Sequence, residues 1–189
     1  MQGFRPEDNN IMLDLETMST ESNAAILQIG AVRFDIDGVR STFEAHISLE
    51  SCQSYYQDVS ASTILWWLKQ SDAARKALIE GQERAGPLHV ALDIFSNWVG
   101  NVCPGGETVK IWGNGAVADN VWLANAYKAV SKAHPGVKRP WTYHGDRCYR
   151  TWVEGKDPHG EHRQRPKIPH NALSDAEAQA MTMVAILNI

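Results

Sequence analysis

The stretch IMLDLE, from Ile11 to Glu16, constrains this 189-residue chain more than any other. It is apolar enough to be a buried strand, yet it ends in acids. In an extended chain alternate side chains share a face, so Asp14 and Glu16 project together from a sheet edge while Leu15 points the other way. Like charges held that close repel each other unless a cation lies between them. A pair of solvated acids at a strand terminus would write the same letters, so the pattern gains weight only from what accompanies it.

A strand of this kind needs neighbours, and the next segment supplies two. AAILQIGAVRFDIDGVRSTFEAHI reads as a pair of strands, with Asp37-Gly38 between them as the hairpin turn. STILWWLKQSDAARKALIEG has helical spacing at Ile64, Leu65 and Leu68, and a second helix starts near Ser71, a natural cap. Pro87 opens a helix through LHVALDIFSNWV, and the Gly/Pro loop CPGGE closes it. TVKIW is a fourth strand, ADNVWLANAYKAV a helix, and NALSDAEAQAMTMVAILN a closing helix. Between Ser131 and Pro169 the chain is rich in Pro, His and Arg, with one short helical candidate over Asp146–Val153. A three-strand meander, then helices, then another strand and helix predicts an α/β mixed sheet flanked by helices. Length and a 43% hydrophobic, 21% charged composition fit a single domain over 1–189, with 1–10 a polar lead-in and 131–169 a basic irregular segment.

Two more carboxylates stand at element ends. Asp119 lies where the turn GNGAVA passes into a helix, a position that the helix dipole favours in an acid without any function. The same turn imitates a dinucleotide fingerprint. No acid occurs between Asp119 and Asp146, however, so the ribose-binding carboxylate expected about 20 positions on is missing. His170 precedes the last helix and Asp175 follows five residues later. Histidine is the side chain suited to proton transfer near neutral pH. Ser174 as a cap and Asp175 as a first-turn charge would account for the same letters.

Taken in order, DxE on the first strand, an Asp after a strand–turn–helix and HxxxxD on the last helix resemble the DEDDh group of 3′→5′ exonucleases, built on the ribonuclease-H-like fold. The resemblance runs from Ile11 to about Ile186 and rests on LDLET, AAILQIGAV, WGNGAVADNVWL, RCYRT and HNALSDAEAQA. Within the group the chain is most similar to small exonuclease domains carried by phages and prophages, which are similar to a bacterial exoribonuclease family. The resemblance implies that Asp14, Glu16, Asp119 and Asp175 hold two divalent cations, Mg²⁺ or Mn²⁺, and that His170 is the general base. Hard cations of this kind prefer carboxylate oxygens, and a pair of them can stabilise the entering and leaving oxygens of a phosphodiester. Thr17 and Met18 match positions that contact the terminal nucleotide. The chain departs from the group at Ala118, where a bulky aromatic usually precedes the third acid.

The surroundings offer further substrate contacts. Trp66 and Trp67 are adjacent on a helix and point about 100° apart, so both cannot be fully buried and one is available to substrate. Trp122 is a second candidate stacking surface, whereas Trp112, on a strand, reads as core. Asn114, Arg147 and Arg150 are candidate substrate contacts, the arginines through phosphate. The formal charge of −4 hides a segment, Lys128–Lys167, with ten Lys/Arg against four Asp/Glu. Such a segment can track a polyanion. The expected partner is therefore single-stranded nucleic acid or a 3′ overhang. A same-fold endonuclease or phosphoesterase and a non-catalytic nucleic-acid-binding module are the competing readings. HxxxxD argues against the first and the complete set of five catalytic letters against the second. No membrane is expected, three widely spaced cysteines point to a cytoplasmic setting, and similar small exonucleases are often dimers, which leaves a homodimer open.

Overall fold

The computed structural model describes residues 9–103 and 109–189; most of the 1–10 lead-in and of the 103–107 loop lies outside them. Five strands, β1 (Asn9–Thr17), β2 (Ile26–Asp35), β3 (Gly38–His46), β4 (Val109–Gly113) and β5 (Asp146–Cys148), form one sheet in the order β3-β2-β1-β4-β5. The first three are an antiparallel meander, and β4 and β5 add in parallel. The predicted mixed sheet is therefore present, and β1 lies at its centre.

Helices cover both faces. Between β3 and β4 run α1 (Leu49–Ser54), α2 (Ala61–Leu68), α3 (Asp72–Glu83) and α4 (Leu88–Val102). Ser71 caps α3 as expected, its hydroxyl accepting the Ala74 N–H, and Pro87 precedes α4. After β4 a five-residue π-helical turn, Ala116–Asn120, leads into α5 (Val121–Val130). The Asp146–Val153 segment corrects the sequence reading: it is β5 followed by α6 (Tyr149–Lys156) rather than one helix. Three residues are too few to show a strand periodicity, and β5 exists because β4 offers it an open edge. The closing helix, α7, spans Ala172–Leu187. Among the described residues no helix is long and apolar enough to cross a membrane.

Strand alternation splits the core in two. Ile11, Leu13 and Leu15 of β1 join Ile29, Leu92, Phe95 and Leu123 on one face, whereas Met12 joins Phe34, Trp112, Ala176, Ala180 and Met183 on the other. Asp14 and Glu16 share the parity of Met12, so they emerge on the face that α7 covers. Trp112 is core as expected, its indole N–H donated to the Asn10 side chain at 2.9 Å.

Two glycines let the covering elements approach. Gly30 on β2 pairs with Asp14, and a Cβ there would stand 2.1 Å from the backbone carbon of Ala172 at the start of α7. Gly113 on β4 pairs with Leu13, and a Cβ there would stand 2.2 Å from the Asn120 side chain and 3.0 Å from Asp119. The residues that set the height of α7 and of the π turn above the sheet are thus glycines. Gly30→Ala is expected to cost about 3 kcal/mol or more, the upper end for overpacking, because a main chain rather than a flexible side chain must yield. Thermal unfolding measures it, and a melting temperature within a degree of wild type would show that α7 can lift without cost.

Candidate active site

β1 ends where α7 begins, and their carboxylates meet. Ligand oxygens of Asp14, Glu16 and Asp175 lie within 4.8 Å of one another. Asp175 reaches them because the α7 N-terminus is pinned to the sheet. Gln28 accepts the Ala172 N–H at 3.0 Å and donates to Glu44 at 2.6 Å, while Asn171 caps the helix by accepting the Ser174 N–H at 2.9 Å. The cap is thus Asn171 and not Ser174, whose hydroxyl accepts the Ile168 N–H instead.

Asp119 stands beside this group in a different state. Its two oxygens accept the backbone N–H groups of Leu15 at 3.2 Å and Gly115 at 3.1 Å. The π turn makes this possible by widening the backbone just before α5. Its charge still reaches Asp14 and Glu16.

The electrostatics follow from crowding. Burial, then the charges of Asp119 and Glu16, raise the Asp14 carboxyl well above its usual range, opposed by a hydrogen bond from Gln179. Burial, then Asp175 and Asp119, push Glu16 up to about 8. Burial pushes Asp119 up to about 6 against its backbone hydrogen bonds and the charge of Arg150. Burial also raises Asp175, opposed by the backbone of His170 and the His170 charge. A divalent cation fits such a donor set: hard carboxylate oxygens, clustered and partly desolvated, whose charged forms are only partly compensated. Gln179 was not evident from the sequence. Its amide donates to Asp14 at 2.7 Å while its carbonyl oxygen is buried without a partner among the described residues. The available signal was its position one helical turn beyond Asp175 on the same face.

His170 lies outside α7, with φ at +60°. Histidine tolerates this left-handed region better than most residues, and the twist after Pro169 carries its ring to α2. There it meets Trp66 and Trp67 edge-on, with centroids 5.0 and 6.2 Å away. The ring is exposed and close to the carboxylates, since its charge acts on Asp175.

A cavity of about 380 Å³ opens beside Glu16, with Thr17, Thr63, Trp66, Trp67 and Trp122 in its walls. The two adjacent tryptophans divide as the 100° argument requires: Trp67 is 4% exposed and donates its indole N–H to the Thr17 carbonyl at 3.0 Å, whereas Trp66 is 43% exposed. Trp122, in the first turn of α5, supplies aromatic surface that Ala118 does not. Met18 is packed against the larger core instead of lining this cavity. Asn114 is engaged through its backbone carbonyl, which accepts the Arg150 N–H at 3.1 Å. Arg147 folds back on its own loop, donating to the carbonyls of His144 and Asp146 at 2.8 Å each. Arg150 is exposed on the first turn of α6, with its charge directed at Asp119.

Solved structures share this architecture at low identity. The nuclease domain of 3′hExo, a DEDDh family member bound to rAMP, is 13% identical with a TM-score of 0.60, covering 96% of this chain and 92% of its own. The cell-death related nuclease 4 is 14% identical with a TM-score of 0.56, covering 97% of this chain and 64% of its own. A zinc-bound E. coli ExoI–ssDNA complex is 13% identical with a TM-score of 0.59, covering 96% of this chain and 41% of its own. This chain thus spans less than two thirds of the length of the latter two. No curated protein matches the sequence significantly. These likenesses establish a ribonuclease-H-like exonuclease fold, and a sequence match over residues 9–187 establishes the family: the chain belongs to the Rv2179c-like 3′–5′ exoribonuclease domain family.

Proposed function

We propose that this exonuclease domain removes nucleotides from the 3′ end of single-stranded nucleic acid, RNA first among them, with divalent cations held by Asp14, Glu16 and Asp175 and by Asp119 beside them. The carboxylate group at the end of β1 carries the reading, because acids this close repel one another when ionised, and near neutral pH a shared cation relieves that repulsion without protonating them. Bound Mg²⁺ or Mn²⁺ would supply charge stabilisation at the phosphodiester and an acidified water. The protein's own groups do the rest. Trp66 and Trp122 offer stacking surface to the terminal base, an interaction worth about 1–3 kcal/mol per base. Thr17, at the end of β1, borders the same cavity. His170, exposed beside Asp175, takes the proton of the attacking water, and its twisted backbone and the tryptophan edges hold the ring in place. Asp119 orders the junction of β1 and the π turn through its backbone contacts.

The likeness to the rAMP-bound nuclease domain and membership of an exoribonuclease family support this choice of substrate. The test is digestion of 5′-labelled single-stranded RNA and DNA with Mn²⁺ or Mg²⁺. A ladder that shortens from the 3′ end, slowed by a 3′-phosphate and stopped by chelator, is expected. Equal cleavage of a circular strand would replace the reading by an endonuclease, and full activity in excess EDTA would remove the cations from it.

A further inference from the structure

We infer that a second groove, towards the C-terminal end of α5, binds the phosphodiester backbone of the strand 5′ to the scissile bond. The inference rests on the exonuclease reading and adds a subsite to it. The groove has a volume of about 440 Å³ and is lined by Asn125, Lys128, Ser131, Lys138 and Arg139, with no carboxylate from the described residues in its wall. Lys128 and Lys138 are exposed, and among the described residues none of these three basic side chains forms an ion pair. The Arg139 guanidinium lies 5.1 Å from the Trp141 ring centre, which holds it at the groove edge by a cation–π contact.

The groove is linked to the terminal-nucleotide cavity through α5. Trp122 lines the cavity, Asn125 and Lys128 line the groove, and the three form an i, i+3, i+6 ridge running obliquely round α5. Lys128 is about 9 Å along the helix from Trp122 at 1.5 Å per residue. The Asn125 amide donates to the Ser22 carbonyl at 2.6 Å, tying the ridge to the loop whose Ser19 and Thr20 border the cavity. A strand whose last base stacks on Trp122 therefore finds uncompensated positive charge within the next nucleotides. Nucleic-acid backbones bind such charge by releasing counterions, which is why the ligand class is a phosphodiester chain and not an isolated anion.

The competing basic surface lies beside α7, where Arg165 and Lys167 border another cavity together with Glu177. The experiment compares Lys138→Glu/Arg139→Glu with Arg165→Glu/Lys167→Glu. Both are measured on a 5′-labelled 12-nucleotide strand and on a dinucleotide too short to reach the groove, with thermal unfolding as the check on folding. For the groove variant, kcat/KM on the 12-mer relative to the dinucleotide should fall roughly tenfold, through KM, and its log–log dependence on salt should flatten by about 0.7 for each phosphate that the protein no longer neutralises. The α7 variant should keep the wild-type ratio. An unchanged ratio in the groove variant, or an equal fall in the α7 variant, overturns the subsite while leaving the exonuclease reading intact. A wild-type protein that cleaves neither substrate overturns both.

Discussion

Asp14→Asn and Asp175→Asn are each expected to abolish turnover, by roughly 10³-fold or more, while raising the melting temperature of the cation-free protein. The first effect follows from loss of a carboxylate oxygen where charge must be held against a developing phosphorane. The second follows from relief of repulsion: Asp14 is buried and Asp175 half-buried, each acts as a like charge on its neighbours, and an amide of the same shape removes a charge without opening a cavity. Each kcal/mol recovered is worth about 2–4 °C in a chain of this size. The Gln179 hydrogen bond to Asp14 survives, since Asn retains the acceptor oxygen. His170→Ala provides the contrast. It should lose the roughly 10²–10⁴-fold of a general base yet keep the stabilisation that Mn²⁺ confers on wild type. Active-site titration, calorimetry with Mn²⁺ and thermal unfolding separate these outcomes. Wild-type rates in either Asp variant would show that the carboxylates serve the fold alone.

Stability should also depend on pH, and divalent cations should oppose that dependence. The folded state raises Glu16 from 4.5 to about 8 and Asp119 from 3.8 to about 6, and raises Asp14 and Asp175 as well. Folded acids therefore bind protons more tightly than unfolded ones. Their contribution is fully present below about pH 4 and is lost as pH rises through 6 and then 8. Without cations the protein should thus weaken between pH 5 and 8.5, by an amount on the order of a few kcal/mol, given that one pKa unit is worth about 1.4 kcal/mol. Cations need the deprotonated acids, so the stabilisation by 1 mM Mn²⁺ should grow over the same window. Thermal scans at pH 5 and 8.5, with Mn²⁺ or with EDTA, measure both slopes. Glu16→Gln should flatten the cation-free slope, and an unchanged slope in that variant would place its origin elsewhere.

Period and punctuation carried the meander, the capped helices and the DxE strand, because those depend on neighbours along the chain. β5 was hidden: Asp-Arg-Cys has no alternation long enough to read, and its strand character comes from pairing with Ile111–Gly113. Arg147 illustrates a second limit. A basic letter beside a candidate site looks like a phosphate contact, and only the structure shows that one of its guanidinium nitrogens, Nη1, is already donated to the carbonyls of its own loop.

By itself the sequence determined which strand ends in acids, which carboxylates and which histidine are available, and the family in which they occur. These properties belong to residue identity and to the two-residue repeat of an extended chain. Only the tertiary structure decided how those groups meet. Asp14 and Asp175 are 161 positions apart, and they come together because Gly30 and Gln28 let α7 rest on β2. Asp119 directs its oxygens to Leu15 and Gly115 because a π turn delivers it there, and Trp67 is buried while Trp66 is not because Trp67 turns inward to the end of β1, where its indole N–H meets the Thr17 carbonyl. Distances of this kind depend on how closely two main chains can approach, a quantity set by the side chain a glycine lacks, and so by space that no letter records.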